Sequence, residues 1–126
     1  MKRIYILVCL FFFLTACSQN VTEKDLIGGT WVATAGYEDG EAKGEPNCYP
    51  FEEGSKFENE NTVYNAAFDR DVEYSLYEQD GDFHIYFAGP TPGYGYQIKK
   101  ISENEIVIKG LKSGSFEDHS CYLERK

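Results

Sequence analysis

Alternation of apolar and polar residues in eight short runs, with turn signals between them, constrains this chain more than any other feature. The runs are residues 30–37, 55–59, 62–68, 71–78, 83–88, 94–101, 105–110 and 120–125. Between them stand Asp69-Arg70, Asp80-Gly81, the Gly-Pro-Thr-Pro-Gly of residues 89–93 and the Ser-Glu-Asn of residues 102–104. Period-two alternation sends successive side chains to opposite faces of a strand. Many such strands at even spacing predict a sandwich or a barrel. Composition agrees beyond residue 16: nine Tyr, six Phe, six Ile and five Val stand against four Leu and no Met. Aromatic and β-branched residues favour the pleated surface.

The hairpins can be tested for register. Two central residues, Asp80-Gly81, suit a type I′ turn. Tyr74 then faces Phe87 and Leu76 faces Ile85, with Val72 and Phe83 on the same apolar side. Glu73, Ser75, His84 and Tyr86 fall on the other side. At the next hairpin, a plain two-residue turn at Glu103-Asn104 would put Lys99 opposite Ile108 on the apolar face. A three-residue loop, Glu103 to Glu105, with a bulge keeps Tyr94, Tyr96 and Ile98 on one face with Ile106 and Ile108. Eight antiparallel strands with one inward face close into an up-and-down barrel and leave no edges. The expected fold is all-β: a minimal eight-stranded antiparallel barrel. A short helical turn precedes it, opened by Thr22 and Asp25 in a variant capping box and ended by Gly28-Gly29.

The N-terminus reads as an address. Lys2-Arg3 precedes an eleven-residue apolar run from Ile4 to Leu14. A spanning helix needs about 20 residues, so the run is a signal-peptide core. Leu14-Thr15-Ala16-Cys17 then resembles a bacterial lipobox. That resemblance implies cleavage before Cys17, acylation of Cys17 by diacylglycerol and palmitate-type chains, and firm attachment through more than one chain. Ser18 resembles an outer-membrane sorting residue if the envelope is Gram-negative. The expected organisation is a signal peptide at 1–16, anchor and tether at 17–25, and a barrel domain at 26–126. The expected location is extracytoplasmic, on a bacterial membrane. With the helical turn at the closed end of the barrel, that end faces the lipid. The end carrying Asp80-Gly81 or the 38–54 segment faces away.

Residues 1–16 hold two of the 12 basic residues and none of the 21 acidic ones, which leaves 10 against 21 and a formal charge of −11. This argues against nucleic acid, whose affinity comes from lysines and arginines on phosphates. It argues equally against a polybasic membrane patch. Cys9 leaves with the leader and Cys17 carries lipid, so Cys48 and Cys121 remain. An even pair in an exported domain predicts a disulfide. It would close a loop of about 74 residues, worth roughly 4 kcal/mol in the chain-entropy description. A free thiol pair is the competing reading, with only His84 and His119 at hand to assist.

Gly29-Thr30-Trp31 after a helical turn resembles the opening of lipocalins. The hairpin over residues 96–109 and the ending Cys121-Tyr-Leu-Glu-Arg125 are similar to the last strands of small bacterial lipocalin-like lipoproteins. The resemblance implies that Trp31 is buried at the closed end, with a basic residue of the last strand packed on it. Arg125 shares a face with Cys121 and Leu123 and fills that place, unless it is a solvated terminal arginine. The chain departs from lipocalins in lacking a helical pattern before the last strand. The resemblance also implies a lid between the first two strands, here residues 38–54, pinned by Cys48 to the last strand.

Catalytic chemistry finds little footing: there is no nucleophile elbow, no phosphate loop and no spare cysteine. The acidic clusters lack the spaced oxygen ligands of a calcium loop and sit at turns, where Asp and Gly belong conformationally. No metal or cofactor is expected, and no enzymatic activity. Two binding functions remain. One is a barrel pocket for a small hydrophobic ligand, lined by Tyr37, Tyr74, Phe87, Tyr94 and Tyr96. Against it, eight strands enclose a space that core side chains can fill. The other is an envelope protein partner, an inhibitor, immunity or assembly contact, met by the acidic outer surface through Tyr77, Tyr86 and Tyr122.

Overall fold

A computed structural model describes residues 20–49, 51–88, 93–111 and 117–126. The leader, Cys17 and most of the 89–93 turn lie outside the described residues. A helical turn, α1 (Glu23–Leu26), leads into β1 (Trp31–Ala35), followed by β2 (Tyr37–Glu38) and β3 (Glu41–Ala42). After a 3₁₀ turn at Phe51–Glu53 come β4 (Ser55–Phe57), β5 (Thr62–Asn65), β6 (Arg70–Gln79), β7 (Asp82–Phe87), β8 (Tyr94–Ser102), β9 (Glu105–Gly110) and β10 (Ser120–Arg125). Eight of these form one closed antiparallel barrel in the order β1-β10-β9-β8-β7-β6-β5-β4, closed by Trp31 pairing with Ser55. Each expected run holds one barrel strand. The run at 62–68 ends as a strand at Asn65, and Phe68 sits in the following turn with its ring edge-on to Tyr49 at 6.0 Å.

The β6–β7 hairpin has the expected register, with Tyr74 opposite Phe87 and Leu76 opposite Ile85. Asp80 and Gly81 both take positive φ, +55° and +85°, as a type I′ turn requires. The β8–β9 hairpin keeps the expected facing but by another route. Ser102 pairs with Glu105, so the turn is the two residues Glu103-Asn104 and not three. The odd residue is Ile101, bulged between Lys100 and Ser102 and 42% exposed. A one-residue offset must be absorbed somewhere if Ile98 is to meet Ile108, and the strand absorbs it more readily than the tight turn.

The segment between β1 and β4 is more structured than a plain lid. Asp39-Gly40, again with positive φ at both residues, turns β2 into β3. Asn47 bridges Ser120, and Cys48 is bonded to Cys121 with 5.9 Å between Cα atoms. That pin was expected; the small hairpin was not.

Antiparallel order puts the β4–β5, β6–β7 and β8–β9 turns at the end that α1 closes. Asp80-Gly81 therefore shares that end, contrary to the expectation that it could mark the far one. Residues 36–54 and the β5–β6 turn lie at the other end. Val21, assigned to the tether, is buried against the barrel, so the packed domain begins before residue 26.

At α1, Asp25 Oδ2 accepts from the Thr22 backbone N–H at 2.9 Å and from its hydroxyl at 3.0 Å, while Lys100 Nζ meets Oδ1 at 3.0 Å. Burial opposes ionisation of Asp25. The Thr22 backbone bond and the Lys100 ammonium outweigh it and hold the carboxyl below its usual value of 3.8. A depressed folded-state pKa stabilises the fold above the unfolded value, and that contribution is lost as pH falls through the folded value. Asp25→Asn is expected to cost about 0.5–1 kcal/mol at pH 7, the scale of a partly exposed pair. In urea titrations the cost should shrink steadily below pH 3.8. An unchanged cost at pH 2.5 would assign it to packing rather than charge.

Candidate functional site

The barrel interior is the first place to look for a ligand, and it is filled. Of the five residues expected to line a pocket, Tyr74, Phe87 and Tyr96 point inward and are buried, and Tyr94 packs half-buried against them. Tyr37 does not join them. It belongs to β2, outside the barrel wall, with its backbone N–H donating to Ser120 Oγ at 3.2 Å. Phe57 meets Tyr74 edge-on at 4.8 Å, and Tyr74 donates its hydroxyl to the Asn59 carbonyl at 2.8 Å. Burial pushes the Tyr74 phenol up to about 12 and raises that of Tyr96 further.

The centre is occupied by Phe51, which sequence reasoning missed. It stacks on Phe87 with ring centroids 4.1 Å apart and meets Tyr96 edge-on at 5.5 Å. What remains among Trp31, Phe51, Ser55, Phe57, Ile98 and Leu123 is about 10 Å³. That is at the lower limit for one water. Phe51 is held there because Cys48, three residues earlier, is tied to β10, while Glu52 accepts the Cys48 N–H at 2.9 Å. The available signal was Phe51 standing next to two acids, Glu52 and Glu53, three residues after a pinned cysteine.

At the closed end, Trp31 is fully buried and its Nε1 donates to the Leu26 carbonyl at 2.9 Å. The Arg125 guanidinium carbon lies 4.5 Å from the ring centroid. Its nitrogens donate to the carbonyls of Ile27 (3.1 Å), Gly28 (3.3 Å) and Glu103, and to Asn104 Oδ1 (3.1 Å). Gly29 makes room. Its φ is +67°, and a Cβ there would stand 2.8 Å from Arg125 Cγ and 2.8 Å from the Lys126 carbonyl oxygen. Only glycine fits both conditions. These groups join α1, β1, β10 and the β8–β9 turn, so the site is structural.

Open space lies outside the barrel. A groove of about 600 Å³ runs along β7, β8 and β9 between the β6–β7 turn and the chain before β10. Asp80, Asp82, His84, Gln97, Lys109 and Glu117 line it. His84, Gln97 and Lys109 are cross-strand neighbours on the outer face. The buried Nδ1 of His84 has no hydrogen-bond partner among the described residues. A second hollow of about 300 Å³ adjoins it through Lys109 and Glu117, and Tyr37 lines that one. On the β6–β7 hairpin Tyr77 and Tyr86 are 40% and 42% exposed, whereas Tyr122 on β10 is half-buried. The groove can take a cation through its carboxylates and an apolar group against Leu111 and the His84 ring. Comparison with known protein families, curated proteins and solved structures finds no match.

Proposed function

We propose that this protein is a lipid-anchored bacterial envelope protein that acts by binding another protein on its outer surface. The observation that carries this reading is the filled interior, with about 10 Å³ left around Phe51. Small-molecule pockets are clefts of roughly 300–1,000 Å³. A barrel stopped by its own side chain supports a surface function over carriage of a ligand. Anchoring is proposed through acylated Cys17, from the basic start, the short apolar run and the residues before it. Kinship with lipocalin-like lipoproteins belongs to the same proposal. It is supported by the closed eight-stranded barrel, the helical turn at its end, Gly29-Thr30-Trp31 and Arg125 over Trp31. The alternative, a small apolar ligand in the barrel, requires Phe51 to leave the stack on Phe87.

Native mass spectrometry of the lipidated protein, extracted from its own envelope, separates the two. The expected spectrum shows the acylated chain with no stoichiometric small molecule beyond its covalent lipid. A retained apolar compound at one per chain would overturn the surface reading and restore the carrier.

A further inference from the structure

We infer that the outer face of the β6–β7 hairpin and the groove beside it form the docking surface for a basic segment of a partner protein. The inference rests on the surface function proposed above and says where it resides and what it recognises.

Four large apolar or aromatic side chains are conspicuously exposed among the described residues, and two of them, Tyr77 and Tyr86, stand on this hairpin. Both are fixed. The Tyr77 ring lies 5.1 Å from the His84 ring. Tyr86 lies across two glycines of the β8 side: a Cβ on Gly93 would fall 2.1 Å from its hydroxyl oxygen, and one on Gly95 would fall 4.0 Å from Tyr86 Cδ2 and 3.2 Å from Leu111 Cδ1. Missing side chains at Gly93 and Gly95 thus let one ring face seat on backbone while the hairpin keeps the residue exposed. An aromatic ring held this way loses little entropy on binding and serves as an anchor.

The charge around these anchors is mostly negative. Across residues 70–88 there are five acids, Asp71, Glu73, Glu78, Asp80 and Asp82, against one base, Arg70. In the adjoining groove Asp80, Asp82 and Glu117 face one lysine, Lys109. A basic segment laid over the hairpin finds the carboxylates of the groove for its charge and the exposed faces of Tyr77 and Tyr86 for its stems and cations. A second copy of this chain does not fit, because it would bring the same acidic face. An anionic bilayer is repelled for the same reason. Complementary charge would also speed encounter with a basic partner, with a rate that falls as salt rises.

Photo-crosslinking in the producing cells tests this with the full-length lipidated chain. Benzoylphenylalanine would replace Tyr77 or Tyr86 in the proposed surface, and Thr34 or Lys56 on other outer faces. The expected result is one heterologous adduct from positions 77 and 86, at least about fivefold stronger than from 34 and 56. Its cross-linked partner peptide should contain Lys or Arg. Asp80→Asn/Asp82→Asn/Glu117→Gln should cut that adduct about tenfold while the circular dichroism spectrum stays unchanged, consistent with three lost charge contacts. Adducts confined to positions 34 or 56 would overturn this surface and leave the surface function standing. A self-adduct, or a peptide without basic residues, would overturn the partner chemistry. No protein adduct from any of the four positions would overturn the surface function as well.

Discussion

Trp31→Ala is expected to destabilise the fold by about 3–5 kcal/mol, the range for a large aromatic removed from a packed site. Three losses combine. The indole is fully buried, so its whole apolar surface returns as a cavity at the closed end. The Leu26 carbonyl loses the Nε1 donor at 2.9 Å, and an unsatisfied buried acceptor costs about 1–3 kcal/mol. Arg125 loses the ring beneath its guanidinium while keeping its carbonyl partners. Trp31→Phe separates these, because it restores much of the volume but not the indole N–H. It should recover roughly half of the loss on the same scale. Urea unfolding followed by far-UV circular dichroism measures both, since the chain has only this tryptophan. A loss below about 1 kcal/mol for Trp31→Ala would show that the closed end contributes little to stability.

The barrel wall was legible because its determinants are local. Asp80-Gly81 sets a two-residue turn and alternation sets the inward face, and together they place Tyr74 opposite Phe87. The β8–β9 hairpin shows where such reasoning stops. Keeping Ile98 and Ile108 together required an offset of one residue, but whether turn or strand carries it depends on side-chain packing around Ile101 and Ser102. Residues 38–54 were legible only as a pinned connection. Their β2–β3 hairpin has two-residue strands, too short for a period-two pattern. Phe51 reaches the barrel centre through contacts with Phe87 and Tyr96, 36 and 45 residues away in sequence. No local pattern encodes such contacts, so Tyr37 was taken as lining the interior while Phe51 fills it. The outer groove was half legible. Alternation placed His84 and Tyr86 outward, but the seating of Tyr86 on Gly93 and Gly95 needs the neighbouring strand.

Replacing both Cys48 and Cys121 by alanine is expected to cost about 4 kcal/mol, from the entropy returned to an unfolded chain freed of a long loop. The bond joins residues 73 apart. Against a total stability of 5–15 kcal/mol for a domain of this kind, that loss is a large fraction. The effect should also have a local part. Cys48 ties the chain between β3 and β4 to β10, and Phe51 follows within one turn. Freed of that tie, the segment is held by the Asn47–Ser120 bridge and the Phe51 ring stack. Hydrogen exchange of the double variant under native conditions should therefore show residues 47–53 opening well before β6–β9. In the bonded protein both regions should exchange only with larger openings. Both sulfur-bearing residues are fully buried, so a small thiol reaches the bond only after this segment opens. Reduction of the native protein by dithiothreitol should then saturate at the opening rate and not rise linearly with reagent. Uniform loss of protection across the barrel, or linear dependence on thiol, would mean that Cys48–Cys121 braces the whole barrel and that the Phe51 segment has no separate motion.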